Sequence, residues 1–433
     1  MSVTAVLAIA VFAGAYVLIA TERVNRSVVA LTGAAAMVII GATRGKQMFF
    51  SESAGVDWNV VLLLFGMMVI VGVLRTTGVF EFLAIWAAQV TGARPFRMMT
   101  LLIVVTAVAS ALLDNVTTVL LLAPVTLLLS ERLRTNPVPF LLAEVMASNI
   151  GGTATLIGDP PNIIIASRSG LGFVDFFLHL APLVLVLLAS FIGLCYLFWG
   201  RHLHYDEDCA NEVMRLQLRD TITDVRLLRR MRLLLAVVMA GFVTHSITHV
   251  EPSVIALIGA GAAIGVSGLP SQEYLHDVEW ETLLFVSGLF IMVGALVQQG
   301  VIGDLAASVG RVMNGDYLAG SQIILVGSAA LSAVVDNIPF VASMAPLVLD
   351  LVGPAQGVSP PRESLWWALV LGADLGGNAT AIGASANVVV TGIAKRHGHP
   401  ISFWTFAKYG VPVTLATVAL SAPYLVVRHF ILT

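Results

Sequence analysis

The sequence predicts an all-α polytopic membrane protein of about ten transmembrane helices, built as two inverted repeats that each carry a re-entrant hairpin and a broken helix. Three observations predict it. First, only 11% of the 433 residues are charged and 58% are hydrophobic. A soluble domain carries roughly 25% charged residues, so a surface this poor in charge belongs in lipid. Second, apolar runs long enough to cross a bilayer recur along the chain. Third, one succession of motifs is written twice. LLDNVTTVLLLAPV around Asp114 answers VVDNIPFVASMAPL around Asp336, and Ser27–Gly33 (SVVALTG) answers Ser253–Gly259 (SVIALIG). DWNVVLLLFGMMVIVGVLRTTGV from Asp57 aligns without gaps to EWETLLFVSGLFIMVGALVQQGV from Glu279. GGTATLIG from Gly151 returns as GGNATAIG from Gly376. The offset runs only from 222 (Asp114 to Asp336) to 226 (Ser27 to Ser253).

The elements follow in order. Residues 1–199 form the first repeat, 200–230 a connector and 231–433 the second repeat. Each copy opens with three plain spans, near 4–21, 28–43 and 59–76, and again near 231–248, 253–269 and 282–299. The first stretch lacks a basic region ahead of its apolar run and reads as a span rather than a cleaved signal. Hairpins near 97–132 and 320–352 come next, their arms meeting at the Asp-Asn pairs. Such arms are marginal for roughly 30 Å of hydrocarbon, so each hairpin either re-enters or crosses twice. Either count is even. A glycine-interrupted segment follows (140–167, then 365–394), and a last span closes each copy (177–199, then 409–428). Five crossings per copy is an odd number, which turns the second copy upside down.

Charge sets the expected orientation. The stretch 200–232 holds arginines 201, 215, 219, 226, 229, 230 and 232, which places it on the cytoplasmic side of the cell membrane. Counting outward puts most of the 23 Lys/Arg inside and both termini outside. The loop 270–281 is an exception, since it falls inside yet is acidic and has no Lys or Arg. The net charge of −3 gives no reason to expect nucleic acid. Two isolated cysteines, Cys195 and Cys209, argue against a disulfide scaffold or structural zinc.

Carboxylates at membrane depth are costly and mark ion, proton or substrate paths. Asp114-Asn115 and Asp336-Asn337 therefore stand first among candidate ion-binding residues, with Thr117 one turn on. Asp and Asn also cap helices, and a cap at a hairpin tip is compatible with binding an ion. The interruptions supply the second set: Asn149, Gly151, Gly152, Thr153, Thr155 and Asn162, then Asp374, Gly376, Gly377, Asn378, Thr380 and Asn387. Glycines alone would explain close helix packing. They do not explain a GGxATxIG string that recurs after each hairpin and ends in an equivalent asparagine. Broken backbone at this depth leaves carbonyls and half-helix ends free for ions. Asp159-Pro160-Pro161 reads as the start of the second half-helix. Glu144, with Leu369 at the equivalent place, is a third acid, read either as a proton carrier beside Asp114 and Asp336 or as an interfacial residue. His179, His245, His249 and His276 fall at span ends without metal-ligand spacing. GVSG around Ser267 matches a short intramembrane serine protease string, but no histidine pattern accompanies it.

At DNVTTVLLLAPV, SNIGGTATLIGDPPN, DNIPFVASMAPL and GGNATAIGASAN the chain resembles the ion transporter superfamily, in its arsenite permease and NhaD-type Na⁺/H⁺ antiporter branch. Within that branch it is most similar to the P protein group, with a citrate-transporter-like domain. The resemblance covers nearly the whole chain. It implies a scaffold and a mobile transport unit in each protomer, a homodimer formed through the scaffolds, and elevator-type alternating access. In dicarboxylate-carrying relatives the tips read Ser-Asn-Thr. Here they read Asp114-Asn115-Val116 and Asp336-Asn337-Ile338, and an acid repels an anionic substrate.

The reading is a secondary active transporter of a small inorganic ion, coupled to Na⁺ or H⁺, with no other cofactor and no enzymatic role. Proton-coupled efflux of arsenite or antimonite leads, because neutral As(OH)₃ suits an acid-containing pocket without a basic clamp. Na⁺/H⁺ antiport and Na⁺-coupled dicarboxylate-like transport are the alternatives, and a channel or a Ser267 protease stands in other classes. The sequence does not decide whether a soluble ATPase associates with it.

Overall fold

The computed structural model describes residues 2–432 apart from 21–23, 52, 53, 202, 204, 216, 277 and 356, and among them it contains helices and no strand. The first copy comprises α1 (Val3–Ala20), α2 (Arg26–Ile39), α3 (Gly45–Phe50), α4 (Trp58–Arg75), α5 (Val79–Val90), α6 (Pro95–Leu112), α7 (Asn115–Arg132), α8 (Val138–Gly152), α9 (Pro160–Ser169) and α10 (Phe173–Cys195). The connector holds α11 (Glu207–Met214). The second copy repeats the order as α12 (Val225–Thr248), α13 (Pro252–Ser267), α14 (Ser271–His276), α15 (Trp280–Gln298), α16 (Val301–Met313), α17 (Tyr317–Ser332), α18 (Asn337–Val352), α19 (Pro360–Gly376), α20 (Ser385–Arg396) and α21 (Phe403–Val426). Even the π-helical turns that finish α10 and α21, Tyr196–Gly200 and Val427–Ile431, correspond.

Every sequence-read span, hairpin arm and broken segment falls on a helix or helix pair. Five helices or helix runs among the described residues are long and apolar enough to cross a bilayer. The short helices α3, α11 and α14 and the longer α5 and α16 were not read from the sequence. The helices α5 and α16 follow left-handed glycines, Gly78 and Gly300, and lie against α7 and α18. The connector is also more than a tether. The Thr223 amide donates to the Thr77 carbonyl (3.1 Å), its hydroxyl to Thr76 O (2.5 Å), and Gln89 of α5 donates to Val213 O (3.4 Å).

The copies interlock. α2 packs mainly on α15 and α4 mainly on α13, each across the boundary between copies. Both seams rest on a glycine: a Cβ at Gly66 would lie 2.8 Å from the Ala256 backbone, and one at Gly288 would lie 2.8 Å from the Ala30 backbone. Without side chains there, the helix axes approach closely and gain dispersion over their whole length. The hairpins follow the same rule of exchange. α6 and α17 pack on the broken helices of their own copies, α8 and α19, while α7 packs on α20 and α18 on α9 of the opposite copies.

Candidate functional site

Each hairpin tip is shaped by its acid. Asp114 precedes α7 and accepts from the Thr117 amide at 2.8 Å; Asp336 precedes α18 and accepts from the Ile338 amide at 3.0 Å. These bonds satisfy orphan N–H groups at helix starts, so the capping role expected of both residues is present.

Each break is then stapled to its hairpin in the same way. Ser110 donates to Ser148 O (2.7 Å) and Ser332 to Ala373 O (2.6 Å). Thr155 donates to Ala111 O and Thr380 to Ala333 O, both at 2.5 Å. Gly151 abuts the Ala107 backbone and Gly376 the Ala329 backbone, with Gly152 facing Gly158 and Gly377 facing Gly383 at similarly short range. Asn162 donates to Gly152 O (3.3 Å) and Thr155 O (3.0 Å), and Asn387 donates to Gly377 O (2.7 Å) and Thr380 O (2.8 Å). These asparagines clamp the unwound loops. Thr153 bonds back to Asn149 O at 2.9 Å within its own helix.

Where the copies meet, the symmetry fails. Asp159 is fully buried, and the sequence reading gave it only a helix-start role. Its carboxylate accepts from Asn115 Nδ2 at 3.0 Å and from Asn337 Nδ2 at 3.2 and 3.3 Å, so both tips converge on it. Asp114, Asp336 and Asp374 all lie within coulombic reach of it. The signal was present, a lone acid inside the glycine break at membrane depth. Ala384 occupies the equivalent position, so the repeat does not point to it.

A second asymmetry follows from Asn149 and Asp374, which are also equivalent. Asn149 accepts from Asn115 (3.1 Å) and donates to Asn378 (2.9 Å) and to Asn387 Oδ1 (3.1 Å). Asp374 faces Thr153 and Asn162 in the corresponding place, but a carboxylate has no proton to give. Among the described residues, no hydrogen bond of good geometry reaches either Asp374 oxygen or Asn162 Oδ1, because the donors beside Asp374, the Thr153 hydroxyl and the Asn162 amide, are given to backbone carbonyls instead. Acceptors turned toward one another at 0% exposure call for a proton or a hard cation to bridge them.

Glu144 is placed elsewhere in the first copy. It is buried within the protein; Thr126 of α7 donates to its Oε1 at 2.5 Å, and Oε2 has no donor among the described residues. His179 is half-buried near the start of α10 and stacks on Trp367 with ring centroids 4.5 Å apart. Ser267 bonds Ile264 O and receives the Leu269 amide, finishing its own helix.

Two cavities approach this centre at equivalent places in the two copies. One, of about 580 Å³, is lined by residues that include Asn59, Leu156, Ile163, Ala166, His245, Glu251 and Ser253. The other, of about 350 Å³, is lined by residues that include Ile19, Asn25, Arg26, Glu281, Asp336, Ser385 and Val389. Asp336 thus opens onto a cavity that also presents a guanidinium. The pocket without a basic clamp, on which arsenite was preferred, is not what the fold builds.

The family model described as a citrate transporter matches residues 16–372. The chain belongs to the citrate transporter family. An "uncharacterized transporter" of Mycobacterium tuberculosis is 54% identical over 99% of both chains. The P protein of Sus scrofa is 34% identical over 98% of this chain and 60% of its own length. The crystal structure of the Alcanivorax borkumensis YdaH transporter superposes with a TM-score of 0.60 at 14% identity, covering 87% of this chain and 85% of that one, which shows a shared fold. Membership makes the protein a multi-pass membrane transporter and not an enzyme, and bears out the likeness to the ion transporter superfamily and to P protein.

Proposed function

We propose that this family member is a secondary active cation exchanger, in which Na⁺ and H⁺ compete for one acid-rich centre formed by Asp374, Asn162 and Asp159 between the two tips. The observation that carries this is the set of donor-less oxygens on Asp374 and Asn162, next to a second buried carboxylate. Four aspartates crowd the centre, and the cation that borders it, Arg26, is shared with Glu281 at the cavity. A centre with this excess of carboxylate attracts cations and excludes anions. Na⁺ occupancy and protonation then become alternative ways to neutralise the same oxygens. The neighbouring half-helix breaks and asparagine amides suit partial dehydration of the ion.

The inverted relation of the copies, an elevator-like displacement of the tip-and-break unit, dimerisation through the α2–α15 and α4–α13 pairs, and a cytoplasmic connector belong to the same proposal. The repeated element order and reciprocal packing support it. A second reading, Na⁺-coupled transport of a small carboxylate, is favoured by Arg26 and Ser385 lining the cavity beside the first turn of α20, and by the family's description. Nothing in the geometry singles out arsenite.

The test is flux in proteoliposomes under imposed pH and Na⁺ gradients. Na⁺ uptake driven by an outward proton gradient, lost in Asp374→Asn, supports exchange. Citrate or dicarboxylate uptake driven by Na⁺, without Na⁺/H⁺ exchange, replaces it with the second reading.

A further inference from the structure

The two cavities occupy equivalent places in the repeat, yet their chemistry differs at one point. Arg26, half-buried at the start of α2, donates through Nη1 to Asp336 Oδ2 (3.4 Å) and to the Ser385 hydroxyl, and through Nη2 to Thr282 Oγ1 (3.3 Å). Its Nε lies 3.8 Å from Glu281, and its guanidinium sits 5.4 Å from the Phe285 ring centroid. Ser385 in turn donates to Asp336 at 2.5 Å. One side chain therefore joins the α2–α15 pair to the tip of α18 and the first turn of α20. At the other tip, Pro252 stands where Arg26 stands and Pro160 where Ser385 stands, and neither proline has a side-chain donor.

We propose that Arg26 is a tethered cation that latches the second hairpin tip to the α2–α15 pair, and that it must let go of Asp336 before the tip-and-break unit can move. The proposal rests on the cation-exchanger reading for its meaning, but its test does not. Asp336 is paired with a cation built into the chain, whereas Asp114 has no ion pair among the described residues, so the two tips are chemically unequal and the latch acts at one cavity only. A planar guanidinium spanning a carboxylate, two hydroxyls and an aromatic face is held in one geometry, which lysine reproduces only in charge. The latch thus stabilises the conformation in which Asp336 opens onto the smaller cavity.

The experiment uses the full-length protein in detergent with the buried Cys195 and Cys209 changed to Ala. A reporter thiol is introduced as Val389→Cys at the smaller cavity or as Ala166→Cys at the larger, and each is labelled with a charged, water-soluble maleimide. The latch predicts that Arg26→Gln lowers the Val389→Cys to Ala166→Cys rate ratio about three-fold or more, as expected when one conformer loses a specific stabilising contact. Asp336→Asn gives the same shift and stands in should Arg26→Gln not fold, and Arg26→Lys falls between Arg26→Gln and the parent. Any other result in both Arg26→Gln and Asp336→Asn overturns the latch. A shifted ratio in a protein that shows no Na⁺/H⁺ exchange in liposomes would sink the exchanger reading and leave the latch standing.

Discussion

At Asp374 one atom decides the chemistry. Asn149, its equivalent, offers an amide proton to Asn387, and Asp374 offers nothing to Asn162. Asp374→Asn should therefore complete the missing hydrogen bond and raise stability by about 1 kcal/mol, while abolishing cation-driven flux. Thermal denaturation in detergent and proteoliposome flux read the two effects separately, and a variant that loses both would refute the role. Asp159→Asn should do the reverse. It sets one amide against the donors of Asn115 and Asn337 and costs about 2 kcal/mol, visible as a lowered unfolding midpoint. The tip acids and the break asparagines were legible because they recur. Asp159 and Arg26 were not, because a repeat draws the eye to matching positions, whereas the distinctive chemistry sits where the copies differ.

At the scale of elements, close approach rather than side-chain interlock holds the scaffold seams. Gly66→Ala and Gly288→Ala should each destabilise by about 1–3 kcal/mol through overpacking against backbone, outweighing the roughly 1 kcal/mol that Ala gains over Gly in helix propensity. Gly14 provides the control, since a Cβ there meets nothing within 4 Å. Gly14→Ala should be neutral or stabilising in the same denaturation assay. The long helices were readable from their apolar runs, and in the structure Asn25, Asp57, Asp114, Asp336 and Ser402 cap the starts of several of them. The helix α5, apolar nearly all round, escaped because its 12 residues are too few to read as a span, and α16 escaped because its apolar residues form only one stripe. A hydropathy reading averages such a stripe with its polar face.

For the molecule as a whole, the protease alternative makes a clean prediction. Ser267 finishes a helix through its own backbone neighbours, so Ser267→Ala should leave flux at the parent rate. Loss of flux there would give Ser267 a part in transport beyond finishing its helix. The exchange of partners between copies predicts in addition that residues 1–206 expressed alone will be degraded, and that supplying 207–433 as a second polypeptide will restore a folded, transport-active complex, checked by co-purification. This interlocking was only partly readable. Two copies were evident, but partner choice depends on the matched Gly66/Ala256 and Gly288/Ala30 notches, which have no long-range signature in the chain.

The swapped pairing also fixes a timetable for biogenesis. α2 leaves the ribosome well before α15 is made, a gap of about 250 residues that translation at roughly 5–20 residues per second turns into some tens of seconds. Throughout that interval the Ala30 face of the newly inserted α2 meets lipid or a holdase instead of Gly288. Assembly of this protein is therefore a post-insertion event, and the cell must shelter a half-finished chain until its second half arrives.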